Sequence, residues 1–231
     1  MNASVVLWVY PCYMTSDMRI ILSTFLIAAV TAACAIAEPK MLYENNFENA
    51  EVGKLPQDPT MMVLDGNFAV RQDGTNRVLE LPGSPLESYG VLFGPAQKEG
   101  AAVIARILGT GKGRRFPTFA VGLNGAAGWR LQVSPGKKQL ELYKGDTRKE
   151  GVPYEWQSGK WTHLRLQVRK VKDGEWKVEG RAWTGGSPEP DGWTISCSES
   201  EEPRPGKAGA FGSPFAGTPI SYDDLKVFTL D

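Results

Sequence analysis

The sequence predicts an all-β protein whose strands form a two-sheet antiparallel sandwich. Residues 160–169 and 220–230 alternate apolar and polar side chains, which is the period of a strand with one buried face. The 26 glycines and 16 prolines are spread through the chain and mark many short turns. No long stretch has the 3.6-residue period of an amphipathic helix. Together these observations favour many short strands over helices.

Turn residues divide the chain into the individual strands. Asp173-Gly174 lies between two alternating runs and is the clearest hairpin signal, because a two-residue turn of this type matches the twist of the flanking strands. Strands are predicted at residues 42–47, 68–71, 77–80, 89–93, 101–108, 118–124, 129–133, 139–144, 162–170, 176–183, 193–196, 208–212 and 220–229.

The N-terminal segment is interpreted as a targeting signal. Arg19 precedes an uncharged apolar run, residues 20–37, that ends in Ala35-Ile36-Ala37, the small-x-small pattern of a secretory signal peptide. We therefore expect a start-site artefact at 1–17, a signal peptide at 18–37 and a single β-sandwich domain at 38–231, located outside the cytoplasm (secreted or periplasmic). Two alternatives stay open: a retained membrane anchor, and a lipid-anchored protein with Cys34 as the modified residue.

Charge and cysteine content exclude several classes of protein. Lys plus Arg and Asp plus Glu each total 26, so no basic excess favours nucleic-acid binding. Cleavage after residue 37 leaves Cys197 as the one thiol, so stability must come from a hydrophobic core rather than a disulfide. The alternation around Cys197 predicts a buried structural thiol.

The two-residue period also assigns faces to the strands. Leu164, Leu166 and Val168 are predicted to face the core. The side chains predicted to point away from it combine flat aromatic rings with hydrogen-bonding groups, as a saccharide groove requires. These candidate binding residues are Arg130, Gln132, Trp161, His163, Arg165, Gln167, Arg181 and Trp183. In the alternative interpretation, loops cover this face and the arginines pair with Glu141, Glu175 or Glu179.

No catalytic or metal-binding residue is assigned from the sequence. His163 is the one histidine, which rules out zinc sites built from several histidines. Asp223 and Asp224 are adjacent in a predicted strand, so we expect their side chains to point to opposite faces and not to form a glycosidase pair. Residues 109–115 lack the Gly-Lys-Ser/Thr ending of a phosphate loop and are interpreted as an inter-strand loop.

Several short motifs occur in an order that resembles the concanavalin A-like lectin/glucanase jelly-roll superfamily, in its laminin-G-like and carbohydrate-binding branch of secreted bacterial proteins. The motifs are Phe47-Glu48 with Val52-Gly53-x-x-Pro56, the Lys160-Trp161-Thr162-His163-Leu164 strand, the Asp173-Gly174 hairpin and the closing Tyr222-Asp223-Asp224-Leu225. The resemblance covers roughly residues 42–230. It implies a jelly roll of two curved sheets, with ligands on the concave face.

Many members of this superfamily are non-catalytic glycan-binding modules, and some are glycoside hydrolases. The compact Glu-x-Asp-x-x-Glu signature of the hydrolase branches is missing here. We therefore expect a secreted non-catalytic module that binds a glycan or polysaccharide, with no cofactor and no membrane contact after signal cleavage. The alternatives are a glycoside hydrolase or related sugar-cleaving enzyme, and a structural or surface protein-interaction domain. Some relatives bind calcium at their terminal strands, so a calcium site near Glu48 with one acid of the Asp223-Asp224 pair remains an alternative.

Overall fold

A computed structural model describes residues 39–230. Fifteen strands make up almost all of its regular structure, and a single 3₁₀ turn, Pro135–Lys137, joins two of them. The strands are β1 Met41–Asn45, β2 Met62–Asp65, β3 Ala69–Asp73, β4 Asn76–Leu81, β5 Tyr89–Gln97, β6 Ala101–Leu108, β7 Thr118–Leu123, β8 Trp129–Ser134, β9 Gln139–Lys144, β10 Thr147–Pro153, β11 Trp161–Lys172, β12 Glu175–Thr184, β13 Ile195–Glu199, β14 Gly206–Ser213 and β15 Ile220–Thr229. The predicted start-site artefact, the signal peptide and Cys34 lie outside the described residues.

The strands form two antiparallel sheets, which confirms the predicted fold class of an all-β jelly-roll sandwich. The eight-stranded sheet has the order β13-β12-β11-β6-β15-β4-β3, and β1 pairs with β15. The seven-stranded sheet has the order β10-β9-β8-β7-β14-β5-β2. Asp173-Gly174 forms the turn between β11 and β12, as the sequence predicts.

The core lies between the sheets and follows the predicted alternation. Leu164, Leu166 and Val168 are at most 1% exposed, as expected for the inner face of β11. Gly180 on β12 faces Leu131 on β8 so closely that an added Cβ would lie 2.6 Å from a Leu131 methyl. Burial of such side chains is the main stabilising term for a domain without disulfides.

Two strands were not predicted, and one was shifted. β2 and β10 are the two outer strands of the seven-stranded sheet, and most of their side chains are exposed. Edge strands with little burial lack the apolar alternation from which strands are recognised. The strand predicted at 193–196 begins at Ile195 instead, because Trp193 leaves the sheet and packs against Arg181, with 4.0 Å between ring centroid and Cζ.

The expectation that the side chains of Asp223 and Asp224 point to opposite faces is wrong. A bulge interrupts the pairing of β15 with β6 between Asp223 and Lys226, and Asp224 has a φ of 49°. Both carboxylates therefore reach the same guanidinium: Asp223 Oδ2 lies 2.5 Å from Arg106 Nη2, and Asp224 Oδ2 lies 2.9 Å from Arg106 Nε. A bulge adds one residue and breaks the two-residue alternation, which explains the error.

Candidate functional site

The structure places the eight candidate binding residues on two different sheets. Six of them lie on β11 and β12 and point outward from the eight-stranded sheet: Trp161, His163, Arg165, Gln167, Arg181 and Trp183. Arg130 and Gln132 lie on β8, in the seven-stranded sheet. The alternation of apolar and polar residues distinguishes side chains that point inward from those that point outward. It does not show which of the two sheets an outward side chain belongs to. The eight residues therefore belong to two surfaces, which we describe in turn.

The arginines of the eight-stranded sheet are paired with carboxylates of the same face. Arg165 and Arg181 are cross-strand partners, and both donate to Glu189 Oε1, at 3.1 and 2.8 Å. Glu189 lies in the segment between β12 and β13. The Trp193 ring, from the same segment, stacks on Arg181. This segment thus covers the Arg165–Arg181 pair, in line with the alternative in which loops cover the face.

The other candidates on this sheet are held in a similar way. Gln167 donates to Glu179 at 2.8 Å, and Arg169 donates to the same carboxylate at 2.9 Å. The His163 ring stacks on Trp183 with 5.1 Å between centroids. Burial, together with the charge of Arg106, lowers the pKa of His163 below its ordinary value. These side chains contact one another and so stabilise the outer face of the eight-stranded sheet.

The seven-stranded sheet carries a flat aromatic ring on its outer face. Phe211 on β14 is half-exposed, and its ring lies over three glycines on neighbouring positions. A Cβ added at Gly90, Gly122 or Gly209 would come within 2.7–2.8 Å of the ring. Because these strands have no side chains there, the ring lies down against the sheet and presents its other face outward. Such a face offers apolar area to a stacked ligand.

A hollow of about 230 Å³ surrounds this ring. Leu64 and Phe211 give it apolar walls, and Arg130 and Gln132 line it with polar side chains, of which Gln132 also donates to Ser134 Oγ at 2.9 Å. Ser88 and Ser213 lie in the same hollow and share a hydrogen bond of 2.6 Å between their hydroxyls. An apolar platform with a few convergent polar groups is the usual composition of a small-ligand site.

Strand register continues the site beyond the hollow. Ala120 is the cross-strand partner of both Phe211 and Gln132, and Gln132 also pairs with Glu141. In the adjacent row, Arg130 pairs with Tyr143, and Tyr143 pairs with Arg148. Side chains on cross-strand partners are neighbours on the same face. The outer face of β8, β9 and β10 is therefore contiguous with the Phe211 platform.

Arg130 connects the two parts. Its Cζ lies 5.7 Å from the centroid of the Phe211 ring and 5.8 Å from that of Tyr143. Arg130 Nη2 donates to the carbonyl of Gly145 at 2.6 Å, which fixes the guanidinium between the rings. Its Nε is buried and has no hydrogen-bond partner in the described part of the chain.

Glu141 organises the far end of this face. The residue is fully buried, and it accepts hydrogen bonds from Ser134 at 2.6 Å and Tyr143 at 3.2 Å. Lys137 Nζ and Arg148 Nε lie 3.2 and 3.0 Å from Oε1. Burial by itself raises the pKa of Glu141, but the bonds from Ser134 and Lys137 outweigh it, so the pKa is below its ordinary value. The carboxylate is a fixed anion that positions two cations.

The described residues offer neither a metal cluster nor a membrane span. No three or more His, Cys, Asp or Glu side chains of residues 39–230 meet in a way that holds a metal ion. Glu48, the candidate calcium ligand, accepts from the Arg77 backbone N–H at 3.0 Å, and Asp223 is engaged by Arg106 and Asn76. Within the same residues, no helix has the length and apolar character needed to cross a bilayer.

Sequence reasoning found Arg130 and Gln132 but missed the rest of this surface. Phe211 falls in a predicted strand whose neighbours are Gly and Ala, so alternation gives no sign of which face it uses. Tyr143, Lys137 and Arg148 become part of a site only through the register of β8, β9 and β10. The Gly90, Gly122 and Gly209 positions were a signal, because glycines inside strands often mark close approach of another group.

Comparison with known proteins shows similarity of the fold alone. No family model matches the chain, and no curated protein matches it in sequence. Among solved structures, an alginate lyase variant in complex with an alginate trisaccharide is 10% identical, with a TM-score of 0.55, over 84% of this chain and 100% of that one. A carbohydrate-binding module from Bacillus subtilis is 11% identical, with a TM-score of 0.51, over 74% and 96%. The catalytic domain of a family 131 glycoside hydrolase from Coprinopsis cinerea is 10% identical, with a TM-score of 0.51, over 81% and 94%.

Proposed function

We propose that this protein is a secreted, non-catalytic carbohydrate-binding module whose ligand lies on the outer face of the seven-stranded sheet. The observation that carries the proposal is the Phe211 ring, which lies flat on a glycine floor beside Arg130 and Gln132. A pyranose presents an apolar face of C–H groups for stacking, and its hydroxyls bind directed donors. Solved structures of similar fold include a carbohydrate-binding module and saccharide-cleaving domains, which agrees with a saccharide ligand.

The charge arrangement disfavours the glycoside hydrolase. Glycosidases need two carboxyl groups on either side of one bond, about 5–10 Å apart, and one of them must be protonated. Glu141 is buried, paired with two cations and lowered in pKa, so it does not hold a proton at neutral pH. Asp223, a buried acid that could serve as the second carboxyl group, lies on β15 in the other sheet. The hydrolase alternative is tested by measuring sugar release from the polysaccharides that bind. Hydrolysis would show that the protein is an enzyme and would contradict the proposal of a non-catalytic binding module.

Binding is tested with the purified protein on a glycan array and by affinity electrophoresis in polysaccharide gels. We expect retardation by at least one saccharide, and we expect Phe211→Ala to abolish it. The comparison variants Arg165→Ala and Trp183→Ala change the outer face of the eight-stranded sheet and should leave retardation intact. If those two variants abolish binding and Phe211→Ala does not, the ligand binds on the candidates of that sheet: Trp161, His163, Arg165, Gln167, Arg181 and Trp183. A protein that binds no saccharide contradicts the proposal as a whole.

Export has its own test, because the segment concerned lies outside the described residues. We expect mass spectrometry of the protein from its native host to find Glu38 as the first residue, after cleavage behind Ala37. A lipid on Cys34 would instead indicate a lipid-anchored protein, and an uncleaved chain would indicate a retained anchor.

A further inference from the structure

Two cations contact one buried carboxylate at the end of the proposed binding face, and a third cation lies on the same face nearby. Lys137 and Arg148 both contact Glu141, and Arg130 lies next to them, with Tyr143 between Arg130 and Arg148. The only other carboxylate within ion-pair distance of these cations in the described chain is Asp146, 3.4 Å from Arg130, and its side chain is fully exposed. The cluster therefore holds an excess of two positive charges, or of one if Asp146 is counted.

Two of these cations are directed to solvent. The side chains of Lys137 and Arg148 are 59% and 45% exposed, whereas that of Arg130 is 21% exposed, close to the 24% and 15% of Arg165 and Arg181, which share Glu189. Glu141 is below the surface and holds the cations from beneath, so their outer hydrogen-bonding positions remain available. A buried anion that orients exposed cations neutralises part of their charge. Because it also holds their side chains in place, less conformational entropy is lost when a ligand binds.

The cation cluster and the Phe211 platform are joined by Arg130. Its Cζ lies 5.7 Å from the centroid of the Phe211 ring and 5.8 Å from that of the Tyr143 ring. A sugar ring stacked on Phe211 would thus place substituents on its β8 side next to Arg130, with Lys137 and Arg148 further along the same face. A guanidinium fork binds a carboxylate or a sulfate more strongly than it binds a neutral hydroxyl.

We propose that the ligand is an acidic saccharide whose ring stacks on Phe211 and whose anionic group is bound by Arg130, Lys137 and Arg148. This inference rests on the proposed function and names its ligand class. Uronate carboxylates and sulfate esters share the required chemistry, and the experiment below distinguishes them. The formal neutrality of the whole chain does not oppose it, because the positive charge is local.

The test is affinity electrophoresis of the purified protein in gels containing polygalacturonate, alginate, glucuronan or chondroitin sulfate. Each uronate polymer is paired with its methyl-esterified or carboxyl-reduced counterpart, which keeps the backbone and removes the charge. Chondroitin sulfate is paired with both desulfated and carboxyl-reduced forms. We expect retardation by at least one charged polymer and its loss with the uncharged counterpart. Retardation should also weaken with added salt, since screening shortens the Debye length from about 30 Å at 0.01 M to about 8 Å at 0.15 M.

Two variants and a matched control locate the effect. Lys137→Gln and Arg148→Gln should each weaken binding roughly three- to tenfold, as expected for one solvent-exposed hydrogen bond worth about 0.5–1.5 kcal/mol. Arg71→Gln removes the same charge from an exposed position on β3 of the other sheet and should leave binding unchanged. Each substitution removes one partner of the buried Glu141, so we expect a lower melting temperature, and a single cooperative melt with a parent-like circular-dichroism spectrum would show that the variants are folded.

Each outcome decides the question. Binding to a charged polymer that is weakened by Lys137→Gln and Arg148→Gln but not by Arg71→Gln supports the inference. Binding that is equally strong to uncharged counterparts, or that ignores both variants, overturns the inference and leaves the proposed carbohydrate module standing. A protein that binds neither charged nor neutral saccharides overturns both. Loss of binding on desulfation, but not on carboxyl reduction, identifies a sulfate ester as the bound group.

Discussion

The glycine floor beneath Phe211 makes a prediction that needs no ligand. A Cβ added at Gly90 would lie 2.7 Å from Cδ1 and 2.9 Å from Cε1 of the Phe211 ring, and its next neighbour is Leu64 Cδ1 at 3.4 Å. Carbon atoms in contact normally lie about 3.5–4.0 Å apart, so the ring must move away by about 1 Å. Every close atom belongs to a side chain, so Gly90→Ala displaces the ring without a clash against the backbone.

The magnitude follows from the surroundings of the ring. Overpacking a closed core costs about 1–3 kcal/mol, and Phe211 lies on an outer face and is only partly buried, so we expect a cost near the lower limit, about 1 kcal/mol. In a Phe211→Ala background the clash is gone. Glycine in a strand is less favourable than alanine by about 0.5–1 kcal/mol, so Gly90→Ala should there be neutral or stabilising. The two positions should therefore couple by roughly 1–2 kcal/mol.

The assay is a double-mutant cycle of urea unfolding, followed by tryptophan fluorescence. Gly192→Ala serves as control, because an added Cβ there meets no atom within 4 Å and the backbone is not left-handed. Equal effects of Gly90→Ala with and without Phe211 would refute the flat-ring arrangement. If a saccharide binds as proposed, Gly90→Ala should also weaken it about two- to tenfold, as expected when stacking worth about 0.5–1.5 kcal/mol is disturbed.

Three further predictions concern the sandwich and its charges. Leu166 is fully buried between the sheets, so Leu166→Ala should lower the free energy of unfolding in urea by about 2–5 kcal/mol. Arg114 is exposed in the loop of residues 109–117, so Arg114→Ala should change the free energy of unfolding by no more than about 0.5 kcal/mol. Similar losses for both variants would contradict the predicted core. Burial raises the pKa of Glu199, but the Glu201 backbone N–H and Lys144 outweigh it and lower the pKa to about 2. Its contribution to stability is therefore complete above the ordinary value of 4.5 and is lost as pH falls toward 2. Stability between pH 5 and 3 should fall more steeply in the parent than in Glu199→Gln, and parallel curves would exclude this role. Burial raises the pKa of the Cys197 thiol to about 11. Iodoacetamide at pH 8 should therefore modify Cys197 slowly in the native protein and quickly in urea, as measured by peptide mass spectrometry. Equal rates would show that the thiol is accessible in the native protein.

Much of the fold could be predicted because burial and alternation coincide on most strands. Leu164, Leu166 and Val168 on β11 follow the pattern residue by residue. β2 and β10 could not be recognised because they lie at the edges of one sheet and bury little. At β15, the bulge at Asp223 breaks the alternation that the prediction used. Local pattern therefore predicts inner strands well and irregular or marginal strands poorly.

The candidate site could be predicted only in part, for a different reason. The sequence indicates an outward-facing polar surface that includes Arg130, Gln132 and Arg165. The pattern of a single strand, however, does not indicate which sheet that strand joins. The division of these residues between two faces depends on pairings distant in sequence, such as β14 with β5 and β7. The same pairings bring the glycines under Phe211 and bring Lys137 and Arg148 to Glu141. Their assembly is a property of register and not of composition.

The position of β15 has a consequence for how the chain folds as it is made. This strand is the last of the described elements, yet it lies inside its sheet, between β6 on one side and β4 and β1 on the other. β14, the one before it, likewise lies between β5 and β7. Neither half of the sandwich can close while these two segments are still within the ribosome, because the earlier strands would expose unpaired backbone groups. Nascent polypeptide thus stays open until β14 and β15 have left the ribosome, and folding is then dominated by contacts distant in sequence, which form slowly.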